Sequence, residues 1–409
     1  MKKLTTVLLL VVATFAATIK LVSAAEEDKG LAPGWLSLDS SVGRLDDSIA
    51  RGKSSIENAL GIGISGYLDG TYTWSSNLPK NPPRISGRYF YGDQNQVYFN
   101  SFHIALDKPE KDWGVGFHLS GDFGRTGELL AEATFWGPNL TSAPSAGVRE
   151  AFATTTIPIG EGIQVKGGLF VTTLGTEIIL NPGSYNDQIT RSFAFNYAIP
   201  FRHLGALFSY PFLKTLTATA GLVTGWDDPN DTNNVPSGML GVSFTPSDSF
   251  AFVSNIIFGP EQTDNDGHTR VAWSNVATIK PMDPLTLLLE YTFGSEIRAS
   301  TPTGNKNAQW YAFSATGNWG WTDRFSTSLR TELFLDEGAS RTFGFAATKP
   351  IFNVSLGEVT LAATYKFTKM LVGRAEVRQD WANRPVYKQT SSRADSNQTT
   401  LAWQMLYQF

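Results

Sequence analysis

Cysteine is absent from the 409 residues, and histidine occurs four times. The first absence excludes disulfides, thiolate metal sites, iron–sulfur clusters and cysteine nucleophiles. The second leaves little for a histidine-rich metal centre. Charge is scarce too, at 17% of residues, below the quarter usual in soluble domains. Thirty-three Lys and Arg against 37 Asp and Glu give a net −4, without the basic surplus a nucleic-acid binder needs. Long apolar runs are missing as well. Beyond the first 25 residues none reaches the length of a membrane-spanning helix.

What is present begins with a leader. Lys2 and Lys3 precede a largely apolar run over 5–19, and Val22-Ser23-Ala24 or Ser23-Ala24-Ala25 offers a small-residue cleavage pattern. Residues 1–25 are therefore expected to be a secretory signal, not an anchor, since Lys20 interrupts a run that is already short. Removing Lys2, Lys3 and Lys20 takes the net charge to −7. An exported chain without a spanning helix leaves a soluble β-protein or an outer-membrane barrel. Residues 26–60 form a separate N-terminal periplasmic segment. Within it Val42, Leu45, Ile49, Ile56 and Leu60 recur at helical spacing. They predict a short amphipathic helix over 41–59, packed on a barrel rim, mobile, or part of a short coiled-coil seam.

From Gly61 onward the apolar period is two. Trp113, Val115, Phe117 and Leu119 alternate with Gly114, Gly116, His118 and Ser120. Leu216, Ala218, Ala220 and Leu222 alternate with Thr215, Thr217, Thr219 and Gly221. Leu401, Trp403, Met405 and Tyr407 alternate with Ala402, Gln404 and Gln408. In a sandwich such apolar faces meet in a dry core. In a membrane barrel they face lipid, and the polar faces line a wet interior. Aromatic residues near strand ends suit a bilayer interface, and neighbours such as Arg374 and Glu376 are costly in a dry core. The expected fold is all-β: a closed antiparallel transmembrane β-barrel over 61–409, with sixteen strands and a short N-terminal helix. Short periplasmic turns fall at 109–111, 160–161, 211–213, 246–247, 281–283, 320–322 and 368–369. Long polar links at 123–146, 227–236, 260–267, 297–306, 336–354 and 382–396 are extracellular. A strand at 190–198 would force the pairing to be redrawn.

The longest link, 174–201, carries Thr176, Glu177, Asn181, Pro182, Tyr185, Asn186, Asp187 and Arg191. Folded inward, it narrows the channel and makes Glu177, Asp187 and Arg191 constriction residues, with Arg202 and His203 where the chain rejoins the wall. Folded outward, it is an ordinary loop. Even spacing puts Arg324, Arg330 and Glu332, and likewise Arg374, Glu376, Arg378 and Asp380, on one lumen face. The interleaved arginines read as a charged wall ladder, not as an acid–base pair. Asp227-Asp228, Asn230-Asp231, Asn233-Asn234 and Asp264-Asn265-Asp266 are oxygen-rich but lack a full calcium spacing, and read as solvated turns. Gly114, Gly116, Gly167 and Gly168 lie within strand patterns and make no nucleotide loop. His118 is expected to face inward and lend some pH sensitivity. No cofactor and no metal ligand set is expected.

Several short motifs follow one another along the chain. They are Gly66-Tyr67-Leu68-Asp69-Gly70 with Tyr72, Arg149-Glu150-Ala151-Phe152, Gly167-Gly168-Leu169-Phe170 and Leu174-Gly175-Thr176-Glu177. Arg191-Ser192-Phe193, Ile199-Pro200-Phe201, His203-Leu204-Gly205, Gly225-Trp226-Asp227 and the run from Arg374 to Asp380 come after them. In this order they resemble the OmpL-like β-barrel porins of Gram-negative outer membranes. Phe409, with Tyr407 two before it, looks like an outer-membrane assembly signal. The resemblance implies an outer-membrane channel, with no defined solute and no catalytic residue. The expected function is passive diffusion of small hydrophilic solutes or ions. The expected partners are outer-membrane lipid, the barrel assembly machinery and further copies in a homotrimer, without nucleic acid. Two rivals stand beside it: a sleeve around another secreted protein, and adhesion through the outer loops.

Overall fold

The computed structural model of the chain describes residues 37–77, 84–111, 114–132, 146–179, 187–302, 304–342, 353–389 and 393–409. The expected signal at 1–25, Trp113 and the 181–186 part of the longest link lie outside them.

Helix α1 (Ser37–Leu60) precedes the barrel and is longer than the 41–59 expected. The first eight strands are β1 (Gly63–Ser75), β2 (Val97–Lys108), β3 (Gly116–Phe123), β4 (Ala146–Ile157), β5 (Ile163–Val171), β6 (Arg202–Leu213), β7 (Leu216–Val223) and β8 (Ser237–Ser247). The other barrel strands are β9 (Phe250–Gln262), β10 (Asn265–Met282), β11 (Leu285–Thr301), β12 (Gly304–Gly320), β13 (Phe325–Glu337), β14 (Val354–Lys366), β15 (Leu371–Ala382) and β16 (Asn397–Gln408), and Tyr387–Lys388 pairs with Ala394–Asp395 in a separate ribbon. Each pairs antiparallel with its sequence neighbours, and β1 closes on β16. Closure leaves no edge whose N–H and C=O groups would go unpaired in lipid.

The burial pattern is that of a membrane barrel. On β1 the polar Asp69, Thr71, Thr73 and Ser75 are buried, whereas Leu68 and Trp74 are exposed. The same inversion exposes Leu240, Trp273, Leu289, Phe313, Leu333 and Trp403. Arg191, Arg330 and Arg378 are among the largest fully buried side chains. The apolar period-two face therefore meets lipid, and the polar face turns to the lumen.

Most of the short turns fall where expected, but those expected at 211–213 and 246–247 lie later in the chain, at 214–215 and 248–249, because β6 and β8 run on past Pro211 and Pro246. Phe409 pairs through its backbone with Gly66 at the same end of the barrel. There Asp46 of α1 accepts from Tyr407 Oη at 2.9 Å and Thr368 Oγ1 at 2.5 Å, holding the helix on the rim. Three further details differ from the sequence reading. The 260–267 and 297–306 links are mostly strand, because the β9–β10 and β11–β12 ladders continue past register shifts to tight turns. The 190–198 stretch, kept within the link by the sixteen-strand count, contains an unexpected π-helical turn, Ala194–Ala198, and the pairing needs no redrawing. The 123–146 link opens with a helix, α2 (Arg125–Glu132), whose Leu129 and Leu130 are buried.

Candidate functional site

Register sets the lumen wall. Glu332 on β13 pairs with Glu358 on β14, which pairs with Asp380 on β15. Arg330, Thr360 and Arg378 occupy the next inward row. Three adjacent carboxylates repel one another, and the arginines offset this. Arg330 Nε bonds Glu358, while Arg378 Nε donates to Asp380 at 2.6 Å and lies 3.5 Å from Glu358. All five charged side chains are buried.

They are buried by the described parts of the link between β5 and β6, residues 172–179 and 187–201, which reach across the lumen. Gly175 N donates to Ser274 Oγ on β10 at 2.9 Å, and Thr176 donates to Glu290 on β11 through N at 3.0 Å and Oγ1 at 2.7 Å. Ile189 N and Thr190 N donate to Glu376 on β15 at 2.7 and 3.0 Å. Phe193 N and Ala194 N each donate to an oxygen of Glu332 at 2.5 Å. The link's own Glu177 accepts from Ser192 N and from Arg330 Nη1, both at 2.7 Å. Arg378 Nη1 donates to Arg191 O at 2.6 Å. Wall carboxylates thus take up the amides that a segment without ladder partners would leave unpaired. Phe193 and Phe195 of the link pack in one apolar cluster with Phe170, Trp310 and Phe334 of the wall, and Trp310 Nε1 donates to Ala198 O at 3.1 Å.

The crossing ends at Asp227, just beyond β7, whose Oδ1 accepts from Phe201 N and, at 2.9 Å, Arg202 N. Burial pushes its carboxyl up to about 6, against the pull of those two amides. Sequence reasoning treated Asp227 as part of a solvated turn and did not give it this contact.

The sequence-predicted residues divide as follows. Glu177, Asp187 and Arg191 lie on the inward link. Arg191 bonds the link's own carbonyls, Ile178 O at 3.0 Å and Gln188 O at 3.1 Å. Burial raises the half-buried Asp187 carboxyl, and Arg374 and Lys366 pull it back. Arg202 donates to Leu130 O at 2.9 Å, closing the end of α2, and His203 sits between Gly225 O and Thr172 Oγ1 at 3.2 and 3.1 Å. Both are pinned into the wall. Arg330, Glu332, Glu376, Arg378 and Asp380 do share the lumen face, but the link covers them, so they do not form an open ladder in water. Arg374 Nη1 reaches Gln404 Oε1 at 3.4 Å. Arg324 is off that face, exposed in the turn ahead of β13, because the strand begins only at Phe325. Glu290, Glu358 and Trp310 were missed, although Glu358 and Glu290 sit at inward parity on legible strands.

Space remains against β1–β4. A cavity of about 620 Å³ is lined by Tyr67, His103, Asp107, His118, Arg149 and Glu150 from the wall and by Ile178 and Ile179 from the link. Ser120 pairs with Glu150 and Gly121 with Val148, so Arg149 is the extra residue of a β-bulge. The bulge lets Arg149 and Glu150, adjacent in sequence, both line the cavity. Arg149 donates to Asp122 Oδ2 at 2.7 Å and to Tyr67 Oη at 2.6 Å. His118 Nδ1 lies 2.6 Å from Asp107 Oδ1, and its Nε2 lies 3.0 Å from Ser120 Oγ. Ser120 is buried, so this line of hydrogen bonds ends in the wall.

A closed sixteen-strand barrel, apolar outside, polar within and crossed by an inward link, defines an outer-membrane diffusion channel. The chain belongs to the family described as Putative beta-barrel porin-2, OmpL-like, which matches residues 61–409. It is an outer-membrane porin for passive diffusion. Comparison with curated proteins gives no match. Solved structures share the fold. The outer membrane channel DcaP of Acinetobacter baumannii is 11% identical at TM-score 0.58, covering 85% of this chain and 97% of that one. The anion-selective porin from Comamonas acidovorans is 11% identical at TM-score 0.56, covering 85% and 99%. OmpT of Vibrio cholerae in its trimer form is 12% identical at TM-score 0.52, covering 85% and 99%.

Proposed function

We propose that small hydrophilic solutes cross this porin along the β1–β4 side of the lumen, while the 172–201 link and the β11–β15 wall act as one fixed body. The supporting observation is the contrast between the 620 Å³ cavity on one side and the buried Arg330, Glu358 and Arg378 on the other. In this reading Glu177, Asp187 and Arg191 narrow the channel by holding the link. Arg330, Glu332, Arg374, Glu376, Arg378 and Asp380 anchor it, and Arg202 and His203 fix its return. No catalytic step is involved. Residues 26–60 are a periplasmic segment whose helix α1 is seated on the rim, and Tyr407 and Phe409 serve the barrel assembly machinery. The trimer form of OmpT, related in fold, supports a homotrimer in the lipid. A sleeve around another protein finds little room, because the link occupies the lumen.

Ala105 is inward, buried and on the cavity lining, so Ala105→Trp fills the path. Single-channel recording in planar bilayers should give at most half the wild-type conductance. An unchanged conductance places the path elsewhere.

A further inference from the structure

We propose that the β1–β4 cavity binds a small organic cation with several N–H donors, a guanidinium or primary ammonium on a short apolar stem. The proposal rests on that cavity as the solute path and names what the path retains. Acceptors on the cavity lining lack donors among the described residues. His103 is stacked on Tyr67 at 4.9 Å, its side chain is 9% exposed, and its Nδ1 lies 3.3 Å from Asp122. That nitrogen makes no hydrogen bond of good geometry, but with the Asp122 carboxylate beside it the proton sits there, which leaves Nε2 an acceptor that nothing bonds among the described residues. Glu150 Oε1 takes the Val171 amide at 3.0 Å. Its Oε2 lies 3.5 Å from His118 Nε2, a nitrogen that already accepts from Ser120 when Nδ1 donates to Asp107. Asp107 Oδ2 has no donor among the described residues, and its side chain is 49% exposed.

Charge points the same way. Arg149 pairs with Asp122, which leaves the two carboxylates of Asp107 and Glu150 against the one ammonium of Lys369 in the lining. Ile178, Ile179 and Val171 share the lining with these acceptors and offer a surface for an apolar stem. A volume of about 620 Å³ is within the range of small-molecule sites. An anion would meet Lys369 but also the carboxylates of Asp107 and Glu150, and a cation lacking N–H would leave those acceptors unsatisfied.

The test uses the mature protein in planar bilayers, with n-butylguanidinium, tetramethylammonium and butyrate as probes. n-Butylguanidinium should interrupt the current at concentrations at least tenfold below tetramethylammonium, and butyrate should not. Asp107→Asn and Glu150→Gln together should weaken the block at least tenfold. Should that double variant fail to show the heat-modifiable gel mobility of a folded barrel, His103→Phe, which keeps an aromatic ring beside Tyr67, reads the same loss. Equal block by tetramethylammonium, or block that survives these substitutions, overturns the proposal. Isothermal titration calorimetry of the detergent-solubilised barrel separates the two readings. Binding heat in a protein that conducts elsewhere keeps the site and abandons the path. Absence of heat in a conducting protein abandons the site and keeps the path.

Discussion

Glu332 shows how one side chain couples the wall to the link. It holds the amides of Phe193 and Ala194 and is itself buried beside Glu358. Glu332→Ala strands two buried donors, each costing about 1–3 kcal/mol, offset in part by relief of the Glu358 repulsion. The expected net loss is about 2 kcal/mol, read as a lower urea midpoint, together with a higher single-channel conductance as the link loosens. Asp227 carries the pH dependence of the link's exit. Folded, it keeps its proton up to about pH 6, whereas the unfolded carboxyl releases it near 3.8. Between these values folding takes up a proton. The group's contribution to stability is full below the lower value and is lost as pH rises through the upper one. Amide exchange at Phe201 and Arg202, corrected for intrinsic rates, should be slower at pH 5 than at pH 7, and Asp227→Asn should abolish that difference. Sequence parity put Glu332, Glu376, Arg378 and Asp380 on the polar face of their strands, and the pairing and burial keep them on that face. It could not show that Thr190 and Phe193, far away in the chain, would cover them, since period two gives a face and not a partner.

At the scale of the element, the strands were legible because one face of each had to be apolar for lipid, and the turns because Pro and Gly interrupt the pattern. The β4 bulge was not, because one extra residue leaves both flanking halves in good alternation. Glycine spacing hid another constraint. Gly294 on β11 lies under Trp310 of β12, and a Cβ there would fall 1.9 Å from the indole Cε2. The indole fills the missing side chain's place and reaches Ala198 O from there. Gly294→Ala must displace it, at a cost of about 1–3 kcal/mol for overpacking. The edge-on pair of Trp226 and Trp310, centroids 6.2 Å apart, should then lose its near-ultraviolet circular dichroism. An unaltered spectrum in a folded barrel would mean that the indole has another seat.

For the whole molecule the decisive fact is that two solvents act on one wall. Lipid takes the exposed Leu, Phe and Trp faces, and the ladder closure satisfies the backbone independently of what fills the lumen. The link therefore adds to a barrel that is already complete, unlike the core of a soluble domain. This separation makes a strong prediction about its removal. Replacing 176–198 by a short Gly-Ser turn leaves Glu332, Glu376, Arg330 and Arg378 without their link partners. In a lumen now open to water, hydration can take over from those partners, so the charges need not unfold the wall. The variant should keep its heat-modifiable gel mobility and insert into bilayers, with conductance several-fold above wild type and passage of larger neutral sugars in liposome swelling. A variant that inserts with wild-type conductance would show that the link does not set the channel's width. One that no longer folds would show that the wall depends on the link as a soluble protein depends on its core.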